Sequence, residues 1–407
     1  MTRYELKKIF SRTSNRIALI LLALVVGVTT YLACHVKYVD EAGQSQYGLA
    51  AVRQLRADQK AWAGTLDEET LRQSIGAIQD VVQSPEYQSE DLVQQEIAYH
   101  RQLALELIRD LLNQSFSEAF RSYDYFTANT LTPEDAPRFY SNRTALLRDW
   151  LSDEADTNFS QAEKNFLLAR YEAFPTPITV DYIKGWEQLY EYAPTVAMIS
   201  ALIACYLVAG IFSSEAQWKT DAVFFSTFHG RRKATAAKVK AGLLLLTAVY
   251  WAAFLLFAAV TLLFLGADGA GCPLQIHIWK SFYSLTLGQG ALLIALGGYL
   301  GTLFLGLAAM WISAKSNSAV LAAIFPFAAI FLPTLLMVGD IGARLSNLLG
   351  LLPDRLLQVN RVLGYFDLYQ LGGKVVGALP ILLVLYTILT LLLIPLLYRT
   401  YRAKQLK

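Results

Sequence analysis

The chain has 407 residues, 55% of them hydrophobic and 17% charged, with a formal net charge of +2 and a mean hydropathy of +0.36. Soluble domains average about 45–50% apolar. The excess here lies in long runs almost free of charge, which excludes an ordinary soluble domain and the short alternating strands of a membrane barrel.

Residues 1–16 place Tyr4, Leu6, Ile9 and Phe10 among Arg3, Lys7, Lys8 and Arg12. This fits a cytoplasmic amphipathic helix on the inner membrane surface, or simply the charged flank of the first span. Crossing a hydrocarbon core takes roughly 20 apolar residues. Six segments meet that length: about 17–36, 193–213, 241–265, 290–313, 319–339 and 379–397. The first is long and cation-flanked, so it reads as a retained anchor rather than a cleaved signal peptide. The fold class expected is an all-α membrane protein with six transmembrane helices and a large, mainly helical extracellular domain between the first and second.

That domain, 37–192, carries 26 acidic residues against 14 basic, so about −12 sits here and about +14 on the rest of the chain. The asymmetry fits the positive-inside rule combined with an acidic soluble domain. A field drawing in a cationic ligand is the other reading. Helix starts are legible. Thr65-x-x-Glu68 and Ser160-x-x-Glu163 fit capping boxes, and Thr132-Pro133-Glu134-Asp135 supplies a cap, a first-turn proline and acids. Four or five helices and little strand are expected, one of them a long helix over about 90–127 that ends in the aromatic patch Phe116, Phe120, Tyr123, Tyr125 and Phe126. Pro175 and Pro177 mark a break, and Trp186, Tyr190 and Tyr192 suit the outer interface before the second span.

Residues 193–398 form a five-helix membrane region with two connections of note, an inner loop at 214–240 and an outer interfacial loop at 340–378. Lys and Arg outside the large domain divide 16 to 5 in favour of the side holding both termini and the 214–240 loop. Both termini, including the basic tail 399–407, are therefore expected in the cytoplasm of a multi-pass plasma-membrane protein. Cys34 and Cys272 both fall near the outer edge, where the geometry allows a bridge between them. Gly297-x-x-x-Gly301 is a close-packing pattern, serving either internal helix packing or a homodimer face. The span centres hold almost no ionisable groups, which argues against an ion-coupled carrier. Gly372-Gly373-Lys374 lacks the spacing of a phosphate loop, and the four histidines are scattered, so no catalytic, cofactor or metal site is expected in this chain.

The inner loop is basic (Lys219, Arg231, Arg232, Lys233, Lys238, Lys240) with an apolar patch at Val223, Phe224, Phe225 and Phe228. An apolar knob ringed by charge suits docking into a partner's groove, while the cations alone also suit anchoring at the membrane surface. Phe212-x-x-Glu215 closing a span, a short amphipathic helix, the pair Arg231 and Arg232, and Lys238 leading into the next span together resemble permease subunits of the type-2 ATP-binding-cassette exporters. The six-span layout and the interrupted outer connection match as well. Where that family has glycine soon after the glutamate, this chain has Gln217, Trp218 and Lys219.

The resemblance covers most of 1–36 and 193–407. It implies a non-catalytic subunit whose Glu215 opens a coupling region, with a coupling helix over about 217–229. The partners implied are a separate ATPase subunit holding ATP and magnesium, a second permease copy, the lipid bilayer and a peptide- or lipid-like substrate, and no nucleic acid. A membrane-anchored sensory or binding protein, whose external domain recognises a peptide or envelope component, is the competing expectation.

Overall fold

The structure is a computed structural model that describes residues 1–227, 230–336 and 347–403. It is 72% helical, and the chain is a multi-pass membrane protein. A short helix α1 (Thr2–Phe10) precedes α2 (Thr13–Cys34). The large segment between the first two long helices follows with α3 (Leu49–Lys60), α4 (Glu68–Val82), α5 (Pro85–Gln88), α6 (Leu92–Leu103), α7 (Glu106–Ser115), α8 (Phe139–Ser152) and α9 (Gln161–Glu172). Then come α10 (Lys184–Ala209), the short α11 (Ser214–Gln217) and α12 (Asp221–Ser226), α13 (Thr235–Leu265), α14 (Leu287–Ser316), α15 (Ala319–Leu336), α16 (Asp354–Leu357), α17 (Val359–Gly364) and α18 (Ala378–Arg402).

Five helices among the described residues are long and apolar enough to cross a membrane: Thr13–Cys34, Lys184–Ala209, Gly230–Leu265, Leu287–Ser316 and Ala378–Arg402. The expected fifth span, 319–339, runs partly outside the described residues. Its described part is an apolar helix that contains Pro326 and Pro333. Outward faces of the long helices carry Leu24, Leu263 and Leu391 at 60%, 85% and 61% exposure. Such faces are stable only against lipid or another apolar surface.

The centre is α10, packed between α13 and α14. Tyr250 on α13 donates to the Ala295 carbonyl on α14 at 2.8 Å. The small residues of α14 work within the chain. A Cβ at Gly297 would come 2.5 Å from Val359 Cγ2, and one at Gly301 would come 3.1 Å from Leu356 Cβ. Both glycines therefore receive α16 and α17, the short helices of the connection before α18. Of the two readings of this pattern, internal packing is the one the structure adopts, because no surface is left at either glycine for a second copy.

The segment 37–192 has more helices, and shorter ones, than expected. The long helix over 90–127 breaks at Ala104–Leu105 and ends at Ser115. Beyond it, Ser117, Ser122 and Asp124 side chains hydrogen-bond nearby backbone, a local alternative to the helical ladder. Ser160 and Glu163 form the expected capping box, and Thr132 and Asp135 form one at the head of a 3-10 turn leading into α8. Thr65 does not cap. Asp67 does, its Oδ1 accepting the Thr70 amide at 2.9 Å, while Thr65 pairs with Thr179 in a two-stranded ladder. A carboxylate one residue before the helix is the better acceptor at the positive end of its dipole.

Strand among the described residues is confined to three antiparallel pairs: β1 (Tyr38–Val39) with β2 (Ser45–Gln46), β3 (Gly64–Thr65) with β4 (Thr179–Val180), and β5 (Leu368–Leu371) with β6 (Lys374–Gly377). The last is a tight hairpin. Gly372 and Gly373 take φ of 57° and 79° at its two-residue turn, where L side chains are disfavoured.

The large segment is bolted to one end of the long apolar helices. Asp268 binds Arg56 at 2.7 Å and Lys60 at 2.6 Å, and its backbone carbonyl accepts from Trp186 Nε1 at 2.7 Å. Buried Arg143 donates to the Trp279 and Ser281 carbonyls and lies against the rings of Tyr171, Phe174 and Trp279. Phe120 and Trp150 pack with Phe366 of the outer connection. Cys34, Cys205 and Cys272 are free thiols, so the bridge that the geometry allowed between Cys34 and Cys272 is not formed.

Candidate functional site

At the end of the molecule opposite the large segment, the apolar run of α10 stops at Ala209 and the chain turns through Gly210–Ser213 into α11. Lys219 then adopts φ of 55°, the left-handed conformation that a glycine takes without steric cost. This is the stretch where the type-2 exporter pattern carries glycine. Here the turn is made by a lysine and closed by Thr220, whose amide donates to the Glu215 carbonyl at 2.9 Å. Helix α12 follows at once, and the chain re-enters through a π-helical turn at Gly230–Ala234 into α13.

Glu215 does not face outward. It is 5% exposed, and its Oε1 accepts from Lys8 Nζ at 2.7 Å and Lys238 Nζ at 2.8 Å. Its Oε2 accepts from Tyr401 and from Ser214, both at 3.2 Å. Lys238, fully buried, also donates to the Ile211 carbonyl at 2.7 Å and lies 3.5 Å from Glu5 Oε2. Two carboxylates and two ammonium groups thus form a neutral cluster drawn from α1, α11 and α13, with a hydroxyl from α18. Burial opposes ionisation of Glu215. The charge of Lys238 and the hydrogen bonds from Lys238 and Lys8 outweigh it and hold the carboxyl at about 2. A buried ion pair is tolerable only when its remaining lone pairs and protons are satisfied, and here nearly every one is.

Aromatic rings wall the cluster. Tyr401 meets Phe212 at 4.8 Å, Phe225 at 5.2 Å and Phe224 at 6.1 Å between centroids, and Lys238 Nζ stands 5.5 Å from the Phe224 ring centre. An exposed face over Val223–Phe228 was expected, but the structure divides it. Phe225 is buried, Phe224 is half-buried, and Val223 is 69% exposed. Phe228 lies outside the described residues. The physical reason is the six-residue length of α12: so short a helix needs two rings turned inward to be held at all. The outward face is Val223 with Ala222 and Ser226, joined by Trp218 at 53% exposure. The Trp218 ring carries Lys8 and Arg12 at 5.0 and 5.2 Å.

Arg231 and Arg232 serve differently. Arg231 lies 5.1 Å over the Phe225 ring and donates to the Arg402 carbonyl at 3.1 Å. That places a cation on the C-terminus of α18, where the helix dipole favours it. Arg232 is exposed. Lys8, Glu5 and Tyr401 were not foreseen as site residues. The Glu5-x-x-Lys8 spacing, which puts both on one face of α1, was the available signal.

The arrangement ties α12 to α1, α13 and α18, so a displacement of α12 must either carry those helices with it or break a buried charge cluster. Compared with known proteins, the chain matches no family model, no curated protein and no solved structure.

Proposed function

We propose that this chain is the transmembrane permease subunit of an ATP-driven ABC transporter. On this reading six spans, with α15 the fifth, place both termini in the cytoplasm and residues 37–192 outside the cell. Two permease copies assemble with two separate ATPase subunits, which hold ATP and magnesium, and extrude a peptide- or lipid-like substrate. Helix α12 is the coupling helix, and its Val223 forms the contact face together with Trp218, which precedes it.

The observation that carries this reading is the buried anchoring of a short, outward-facing helix by Glu215, Lys8, Lys238 and Tyr401. A loop that served only to turn the chain between two spans has no use for a four-charge cluster at its root with a desolvated ion pair, Glu215 and Lys238, at its centre. A docking helix that must transmit a push does, because force reaches the spans only through contacts that do not yield. Clamping of the ATPase pair would move α12 and, through the cluster, rock α13 and α18.

The test is purification of the full chain from its native membrane in mild detergent. Co-purification of a protein bearing a Walker-type phosphate loop, at stoichiometric amounts, is expected. Recovery of the chain without any such ATPase under conditions that keep it folded would favour the sensory reading, in which the large segment alone carries the function.

A further inference from the structure

The large segment holds a cavity of mixed polar and apolar lining that the transporter reading does not use. Its volume is about 280 Å³, and it lies between α6, α7, the Tyr123–Tyr125 stretch and the outer end of α10. Small-molecule sites run from about 300 to 1,000 Å³, so this one, just under that range, suits only a small ligand of amino-acid to dipeptide scale.

Its charges are unevenly matched. Lys184 is satisfied twice, by Glu187 at 3.0 Å and Glu106 at 3.5 Å. Arg109 has no carboxylate within ion-pair distance among the described residues, although it is 2% exposed. It donates to Gln102, to Asn129 Oδ1 at 2.8 Å and to the Tyr125 carbonyl at 3.4 Å, all neutral acceptors. Its Nε has no acceptor, and neither does Nε2 of Gln102, which is 6% exposed. A buried donor left unpaired costs about 1–3 kcal/mol, more when charged, and two from neighbouring side chains on one cavity wall mark a place where acceptors are missing.

The next residue has the opposite deficiency. Asp110 accepts from Tyr123 at 2.7 Å and Gln114 at 2.7 Å, but no cation pairs with it among the described residues. One cavity therefore presents a guanidinium with no carboxylate partner, lying 4.5 Å from the Tyr125 ring centre, and a carboxylate with no Lys or Arg partner, with His277 on the same lining and the half-exposed rings of Tyr123 and Tyr125 at its side.

We propose that this cavity binds a small zwitterion, an α-amino acid or dipeptide, with its carboxylate on Arg109 and Gln102, its ammonium on Asp110 and an apolar side chain against the tyrosines. The inference uses only residues of this segment and the adjoining end of α10, so it stands whether the chain is a transporter or a sensor.

The experiment is calorimetric titration of the purified full-length chain with alanine, phenylalanine and the dipeptide Phe-Ala, then with N-acetyl-Phe-Ala and Phe-Ala amide. Saturable binding of at least one free zwitterion is expected. Blocking either end of Phe-Ala should weaken binding about tenfold, the scale of one lost charge-assisted contact. Asp110→Asn should reproduce the effect of acetylation, and Arg109→Gln that of amidation. Because Arg109 also holds Gln102 and Asn129 and its variant could misfold, the blocked ligands on the unaltered protein carry the decision. No saturable binding of any free zwitterion, or equal binding of the blocked and free dipeptides, would overturn the proposal.

Discussion

Lys238 Nζ stands 2.8 Å from Glu215 Oε1, and the two side chains are 0% and 6% exposed. Removing one partner from such a pair leaves the other charged and buried, which costs about 3–5 kcal/mol. Glu215→Ala is expected to lower stability by that amount, read as the midpoint of thermal unfolding in detergent. Glu215→Leu combined with Lys238→Met should recover much of the loss, because the two most deeply buried charges are removed together and Lys8 and Glu5, the charges that lose their partners, are the more exposed members of the cluster. A double variant as unstable as Glu215→Ala alone would mean that the cluster is not the source of the effect.

The same cluster sets a pH dependence. The folded Glu215 carboxyl sits at about 2 against an ordinary value of 4.5. A depressed carboxyl pKa contributes stability that is fully present above the unfolded value and is lost as pH falls through the folded one. The stability gap between the wild type and Glu215→Gln should thus stay constant above about pH 4.5 and close as pH falls toward 2. Melting curves of both proteins across that range test it. A gap that changes near neutrality would contradict the assignment.

Gly297 and Gly301 should tolerate no side chain. Gly297→Val would drive atoms into Val359 of α17, and Gly301→Val into Leu356 and Leu357 of α16. Overpacking of this kind costs about 1–3 kcal/mol. Gly297→Val is expected to suffer more, since its closest approach is 2.5 Å against 3.1 Å. Unfolding in denaturant should register the loss in both, with self-association unaffected. Variants that dissociate without losing stability would return these glycines to a dimer face.

Phe225 and Val223 should part company on substitution. Phe225→Asp buries a carboxylate beside Tyr401 and is expected to destabilise the loop and its anchors. Val223→Asp is expected to leave thermal stability within about 0.5 kcal/mol of wild type, as for other exposed positions. Unfolding midpoints of the two variants separate an inward ring from an outward contact. Equal losses in both would place Val223 in the packed interior.

Much of this was legible in the chain because the bilayer makes the signal coarse. Spans of about 20 apolar residues read directly from hydropathy, and so did Ser160–Glu163 and Thr132–Asp135, whose caps depend on residues three apart. What was not legible depended on residues far apart in sequence. Glu215 joins Lys8 and Tyr401 across 207 and 186 positions, and no local pattern announces that pairing. The apolar run Val223–Phe225 did not reveal which of its side chains turn inward, because a six-residue helix does not have enough turns for its pattern to say which side is buried. The Gly372–Gly373 hairpin was missed for a different reason. Its glycines were weighed only as a phosphate loop, although the flanking Leu368–Leu371 and Lys374–Gly377 already had strand length.

The central claim is that α12 touches an ATPase through Val223. A photo-crosslinking amino acid introduced at Val223 in the full chain, activated in native membranes, reads this contact directly. The account predicts a crosslinked product with a polypeptide carrying a Walker-type phosphate loop, lost when Val223 is kept and the same group is moved to Arg232. Crosslinking to lipid alone, or to a partner without a nucleotide-binding motif, would contradict it.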